Sequence, residues 1–172
     1  MSSHAEMDTL TEDTSAPHAE RTASGMRGDM HWLLRHFVAE VAGVTHAVLL
    51  SRDGLRLLDS EVDKDWADKL SAGISGIASI ANNFTGPSKQ KRPASQVIIE
   101  RDDCLIFVQS AGGSTAFDNH PGGKTVTETV LGVVTTTDAD AGNVGFEIGR
   151  LVQKFATYMQ IPVRDRSDDE AR

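Results

Sequence analysis

Two neighbouring apolar segments, residues 97–99 and 105–108, constrain the fold of this chain more than any other feature. Only a short charged turn around Asp102 separates them, which leaves no room for a crossover connection, so they form an antiparallel hairpin. Neither segment alternates apolar with polar residues, as a strand with one solvated face would. The sequence therefore predicts an antiparallel sheet that helices cover on both faces.

The remaining periodicity predicts three helices and three more strands. A helical pattern begins after Asp29, and a second hairpin pairs residues 47–50 with residues 55–60. The pattern then gives a long helix at 63–84, a strand at 129–136 and a final helix, which either Asp138 or Asp140 caps. The order is helix, strand, strand, helix, three strands, helix, and this order defines the class α+β.

The ends of the chain differ in composition from its centre. Residues 1–28 and 162–172 contain few large apolar side chains, so burial cannot offset their chain entropy, and we predict that both are disordered tails. The folded domain then spans residues 29–161, and we expect its stability to be unchanged when both tails are removed.

The charge balance and the lack of long apolar runs exclude several classes of protein. The 172 residues include 17 basic and 25 acidic ones, a net charge of −8, which argues against a nucleic-acid partner. No apolar run is long enough to span a bilayer or to act as a secretory signal, so we predict a cytoplasmic protein without membrane insertion.

No residue pattern in the chain predicts catalysis, a cofactor or a metal site. Cys104 is the only cysteine, and no two of the six histidines have metal-ligand spacing with a carboxylate partner. The segment GGKT at 122–125 ends like a phosphate-binding loop, but Asp118 stands where that loop needs its first glycine. We therefore predict that the protein is not an enzyme.

The long middle helix has an unusual polar face. No charged residue occurs between Leu70 and Phe84, although solvated helix faces usually carry Lys and Glu. The predicted core stripe of this helix consists of Trp66, Leu70, Ile74, Ile77, Ala81 and Phe84. The opposite face carries Ser71, Ser75, Ser79 and Asn82, flanked by Ala72, Gly76 and Asn83. We predict that this face contacts a partner helix; the alternative is a polar face that is merely tolerated.

The chain resembles the Roadblock/dynein-light-chain family over residues 30–158. The resemblance lies in the segments WLL at 32–34, VAGVTHAVLL at 41–50, SRDGL at 51–55, the small-residue helix at 70–80 and GNVGFE at 142–147. It implies a five-stranded antiparallel sheet with one long helix on one face and two helices on the other, a Roadblock/profilin-like sandwich. It also implies a homodimer in which the long helices pair and the sheets join edge to edge. Residues 111–128 form a longer connection than the tight hairpin usual in this family.

The resemblance also implies a regulatory function. Family members act as scaffolds for, or activators of, small GTPases, and activators remodel the GTPase rather than supply catalytic residues. The chain is most similar to actinobacterial members, which accompany a histidine-kinase-like sensor and a Ras-like small GTPase. Two alternatives are a pure protein scaffold and a small-molecule sensor domain of PAS/profilin-like architecture. Arg52 and Arg56, beside the first hairpin turn, are the candidates for an arginine donated to a GTPase.

Overall fold

The computed structural model of the chain describes residues 22–117 and 126–158. It contains the predicted order of helices and strands. The elements are α1 (Ala23–Glu40), β1 (Val44–Ser51), β2 (Arg56–Asp59), α2 (Lys64–Asn83), β3 (Gln96–Glu100), β4 (Leu105–Ser114), β5 (Thr127–Thr135) and α3 (Ala141–Phe155). Of the two candidate caps of the last helix, Asp140 is the one used, because its carboxylate accepts a hydrogen bond from the amide of Asn143 at 2.9 Å.

The five strands form one antiparallel sheet in the order β2-β1-β5-β4-β3. The long strands β1, β4 and β5 lie at the centre, and the short strands β2 and β3 lie at the two edges. Val48 of β1 and Val108 of β4 both pair with Gly132 of β5, so their side chains point to the same face of the sheet. Their immediate neighbours Leu49 and Leu131 point to the other face.

Each face of the sheet has its own apolar core, as the sequence predicts. The face covered by α1 and α3 buries Met30, Leu34, Phe107, Ile148 and Phe155, among others. The face covered by α2 buries Val48, Leu50, Ala67, Ile74, Val108 and Val130. The predicted fold class, with one long helix on one face and two helices on the other, is confirmed.

Helix α1 begins at Ala23, seven residues before the start predicted after Asp29. Thr22 caps it by accepting a hydrogen bond from the amide of Gly25 at 3.2 Å. Met26 is buried and extends the Met30–Leu34 stripe by one turn, and Arg27 Nε donates to the carbonyl of Ala116 at 2.6 Å. The predicted boundary was wrong for residues 22–28 because Ser and two glycines, at positions 24, 25 and 28, hide the helical pattern. The rest of the predicted tails, residues 1–21 and 162–172, lies outside the described residues.

A chain that starts at residue 29 is therefore expected to be less stable than one that starts at residue 22. The shorter chain loses the burial of Met26, the cap and the hydrogen bond to Ala116, together worth at least about 2 kcal/mol. Urea unfolding of the two truncated chains measures this difference. Equal free energies of unfolding would show that the first turn of α1 contributes nothing.

The connection between β4 and β5 is partly an extension of the sheet. Both strands are longer than predicted, since Gly112, Gly113 and Ser114 pair with Thr129, Glu128 and Thr127. A register shift after Ser110 marks a bulge, and Gly112 has a φ of +86°, a conformation that glycine adopts without strain. The glycines masked this strand in the sequence. Residues 118–125, which include the GGKT segment, lie outside the described residues.

Candidate partner-binding face

Helix α2 crosses one face of the sheet and is fixed at its first turn. The carboxylate of Asp63 caps the helix by accepting a hydrogen bond from the amide of Trp66 at 2.9 Å. Asp68 accepts from Arg56 Nε of β2 at 2.7 Å and from Lys64 Nζ at 2.8 Å. These hydrogen bonds hold the pKa of the Asp68 carboxyl below its usual value. The interactions tie α2 to the β2 edge of the sheet.

In the middle of the sheet, α2 approaches β5 closely at Gly132. Ile74 of the helix is fully buried over this glycine, and a Cβ at position 132 would overlap Ile74 Cδ1. Such a Cβ would also lie 3.2 Å from Cγ2 of Val48. The absence of a side chain at Gly132 therefore sets how close the helix lies to the sheet. It also fixes which side of α2 faces the sheet and which faces outward.

The seven residues predicted as one interface do not share an environment. Ser71 is fully buried against the sheet, so its prediction as an interface residue was wrong. Ser75 donates a hydrogen bond to the carbonyl of Arg52 at 2.7 Å, and Asn82 accepts one from the amide of Ala94 at 2.8 Å. The four exposed members are Ala72, Gly76, Ser79 and Asn83.

Two members of the predicted core stripe, Trp66 and Phe84, are exposed instead, and Ile80, which was not predicted to lie in the core, is exposed as well. The exposed fractions are 39% for Trp66, 61% for Ile80 and 69% for Phe84. Trp66, Gly73 and Ile80 are seven residues apart, close to two helical turns, so they lie along one side of α2. Gly76 lies beside them, and a Cβ at either glycine would meet no other atom within 4 Å. We call Trp66, Gly73, Gly76, Ile80 and Phe84 the α2 stripe.

The prediction for α2 was wrong in its rotation about the helix axis. Ala67 and Ser71 face the sheet together with Ile74, whereas the larger Trp66 and Phe84 lie at the side of the helix. Small residues on the sheet-facing side let the helix approach Gly132, and this outweighs burial of the aromatic rings. The glycine in the otherwise β-branched run of β5 is the sequence signal that would have indicated this rotation.

The open edge of the sheet lies next to the C-terminal half of α2. Strand β3 pairs with β4 and with no other strand among the described residues. Its Val97 packs into the same core cluster as Ile77 and Ala78 of α2. Ile98 shares a register position with Phe107, so it points to the other face of the sheet, where it is half exposed. The unpaired edge of β3 and the α2 stripe are therefore two separate exposed features.

Ser71 has a buried hydroxyl without a hydrogen-bond partner among the described residues. An unsatisfied buried hydroxyl costs about 1–3 kcal/mol. Ser71→Ala is therefore expected to stabilise the protein by about 1 kcal/mol, since it removes this cost and leaves only a small cavity. Ser79→Ala is the matched control, because Ser79 is exposed on the same helix and shares the gain in helix propensity. Thermal unfolding of both variants tests the expectation, and an equal change in both would contradict it.

The two candidate arginines differ in how firmly they are held. Arg56 is mostly buried and binds Asp68 and Asp59, and the hydrogen bond to Asp68 raises its pKa. Arg52 is exposed, and its guanidinium contacts the exposed Glu128 at 3.1 Å. Only Arg52 can therefore reach a partner without breaking a buried ion pair. Within the described residues, no group of three His, Cys, Asp or Glu side chains is arranged to hold a metal ion.

Comparison with known proteins places this fold and face in a family. The Roadblock/LC7 domain profile matches residues 30–116, from α1 to the end of β4. A Roadblock/LC7 domain from Streptomyces avermitilis is 33% identical, with a TM-score of 0.61 over 74% of this chain and 95% of that chain. The chain belongs to the Roadblock/LC7 domain family. The profile match and the Streptomyces structure confirm the resemblance found in the sequence, including the similarity of this Roadblock domain to actinobacterial members.

More distant structures share the fold of this Roadblock domain. The gliding protein MglB from Thermus thermophilus is 17% identical, with a TM-score of 0.61 over 78% of this chain and 90% of that chain. An MglB with a tetrameric arrangement is 16% identical, with the same TM-score and the same coverage. No curated protein matches the chain at a significant level. None of the helices in the described part of the chain has the length and apolar character to cross a membrane.

Proposed function

We propose that the protein is a non-catalytic regulatory homodimer that binds a Ras-like small GTPase in a signalling module. The observation that carries the proposal is the exposed α2 stripe. An exposed apolar stripe of this kind is a surface that a partner covers, and the unpaired edge of β3 is a second surface open to pairing. A second copy of the chain offers both a helix and a strand edge to cover it.

The chemistry of α2 supports a symmetric contact between two copies. In a two-fold dimer one surface patch contacts itself, so any charge on it would face the same charge. From Leu70 to Phe84 the helix has no charge, and Gly73 and Gly76 allow two backbones to approach closely. In an antiparallel pair centred on Gly73, each Trp66 would meet the partner's Ile80, because the two residues are equally far from Gly73. Strand β3 could then extend the sheet across the dimer.

Family membership supports a small GTPase as the second partner. Roadblock domains are regulatory, and MglB, with which this chain shares its fold, is found in a tetrameric arrangement. We place the dimer in the cytoplasm, and a histidine-kinase-like sensor is a further candidate partner in the same module. Arg52 and Glu128 form an exposed ion pair outside the α2 stripe, where a partner can reach them.

The proposed dimer regulates rather than catalyses. If it activates the GTPase, it must bind the transition state for hydrolysis more tightly than the GTP-bound state, because only differential binding accelerates a reaction. Remodelling of the switch segments achieves this without a residue from the regulator. Arg52 is the one candidate for a donated arginine, which contributes about 10³–10⁵ in rate where it operates.

Mixing the protein with candidate Ras-like small GTPases, each loaded with GTP or GDP, tests the function. We expect tighter binding to the GTP-loaded than to the GDP-loaded form, measured by calorimetry with a non-hydrolysable analogue. Single-turnover phosphate release then separates two roles: acceleration that survives Arg52→Ala identifies a remodelling activator, and binding without acceleration identifies a scaffold. No binding to either nucleotide state would contradict the proposed GTPase partner.

A further inference from the structure

A cavity of about 300 Å³ lies between the C-terminal half of α2 and the sheet. Its floor is apolar and comes from both layers, with Ala78 and Ala81 of α2 and Val97, Val108 and Val130 of the sheet. Ser75 and Asn82, on the same side of α2, are bonded to the β1–β2 turn and to the loop before β3. The α2 stripe lies on the other side of the helix. The cavity therefore does not belong to the proposed dimer contact.

Three cationic side chains and one carboxylate line the mouth of this cavity. They are Arg52, Lys91, Arg92 and Glu128. Glu128 pairs with Arg52 at 3.1 Å. Within residues 22–117 and 126–158, neither Lys91 nor Arg92 forms an ion pair with an acidic side chain. Their nearest polar contacts are the neutral Asn83 at 3.4 Å and Gln90 at 3.5 Å.

The sequence concentrates positive charge at this place. Residues 69–99 contain four basic residues and no acidic one, in a chain with a net charge of −8. Three of the four lie in the connection between α2 and β3, at Lys89, Lys91 and Arg92. A local positive field beside an apolar cavity attracts an anion that also has an apolar part.

The cationic rim is held in place without a ligand. Asn82 accepts a hydrogen bond from the amide of Ala94 at 2.8 Å, and Thr85 and Lys91 form an isolated antiparallel bridge. On the opposite side, the amide of Arg52 donates to the carbonyl of Glu128 at 2.9 Å. Backbone contacts thus position both sides of the mouth, so a ligand would have to order only the side chains of Lys91 and Arg92.

We propose that this cavity is a binding site for a small amphiphilic anion, with a compact apolar body on the valine floor and an anionic group between Lys91 and Arg92. The volume lies at the lower end of the range for ligand pockets, about 300–1,000 Å³, which favours a small molecule over a folded partner. Charge complementarity selects an anion, because two cations at the mouth lack acidic partners among the described residues. The proposed anion site does not depend on a GTPase partner, although Arg52 and Glu128 line the cavity and are also proposed for partner contacts.

Octanoate is a suitable probe. Octanol, which has the apolar chain without the charge, and acetate, which has the carboxylate without the chain, are its controls. We expect octanoate to shift the methyl resonances of Ala78, Val97 and Val130 in a saturable way, and raised salt to weaken its binding. Octanol and acetate should produce no saturable shift at these positions. If octanol binds as tightly as octanoate, or octanoate does not saturate, the proposed anion site is wrong.

Charge-reversal variants in the α2–β3 connection localise the site. Lys91→Glu and Arg92→Glu are each expected to weaken octanoate binding by about tenfold or more, as expected for loss of a charge-assisted contact. Lys89→Glu is the matched control, since Lys89 belongs to the same connection but does not line the cavity. It should change the dissociation constant by less than about twofold, because an exposed charge outside the cavity is screened. An equal loss in all three variants would show a general charge effect and overturn the proposal.

Discussion

Ile80→Asp is expected to convert the proposed Roadblock dimer into a monomer. Ile80 is 61% exposed in the single chain and belongs to the α2 stripe, so the substitution has little effect within one protomer. In a symmetric dimer it places two carboxylates in the contact, and an uncompensated buried charge costs about 3–5 kcal/mol. Sedimentation equilibrium should give twice the chain mass of 18.5 kDa for the wild type and the single mass for the variant.

Phe146→Asp is the matched control for this prediction. Phe146 is an apolar residue with a similar exposed fraction, but it belongs to α3, on the other face of the sheet. Its replacement should leave the dimer intact, and both variants should keep the wild-type circular dichroism. A dimer that survives Ile80→Asp but dissociates with Phe146→Asp would place the interface on the face covered by α3.

Gly132→Ala is expected to destabilise the protein by about 1–3 kcal/mol, the usual cost of overpacking a core. The added Cβ would overlap Ile74 Cδ1 and would lie 3.2 Å from Val48 Cγ2, so α2 must move outward or Ile74 must change rotamer. The β5 backbone cannot move away from α2 to make room, because it is paired on both sides, with β1 and with β4. Urea unfolding measures the loss.

A second substitution shows whether the contact with Ile74 causes this loss. Ile74→Val removes Cδ1 and by itself costs about 0.5–1.5 kcal/mol. The double variant Gly132→Ala with Ile74→Val should lose less free energy of unfolding than the two single variants lose in sum. The reason is that Ile74→Val removes Cδ1, the atom that the new Cβ would overlap. Gly149→Ala, in open space on α3, is the control and should not destabilise. Strict additivity of the two losses would contradict the close approach of α2 to Gly132.

The fold followed from the sequence because each strand pair left a local signal. The apolar segments around Ile98 and Phe107 and the short turn between them determine the antiparallel pairing of β3 with β4. Asp63 and Asp140 mark the helix starts, which their caps confirm. The start of α1 was missed because its first turn has one apolar residue, Met26, whose burial depends on packing that sequence spacing does not reveal.

The candidate site was harder to predict because the rotation of a helix depends on its partner layer. The spacing of Trp66, Ile74 and Phe84 fits one apolar stripe, but the structure buries only Ile74 and leaves Trp66 and Phe84 exposed. The sheet accepts Ile74 where β5 has a glycine, and this leaves Trp66 at the side of α2. The cavity was missed for a related reason, since its floor combines residues from α2 and three strands.

Disulfide cross-linking of Gly73→Cys tests the central claim, pairing of the α2 stripes, most directly. Cys104, the only native cysteine, is first replaced by Ser. Gly73→Cys then introduces the only thiol of the chain, in open space on α2. Oxidation is predicted to give a covalent dimer rapidly, because an antiparallel pair centred on Gly73 brings the two sulfurs within bonding distance. Gly28→Cys, on α1 in equally open space, should cross-link slowly. Equal and slow cross-linking at both positions would contradict the pairing of α2 helices.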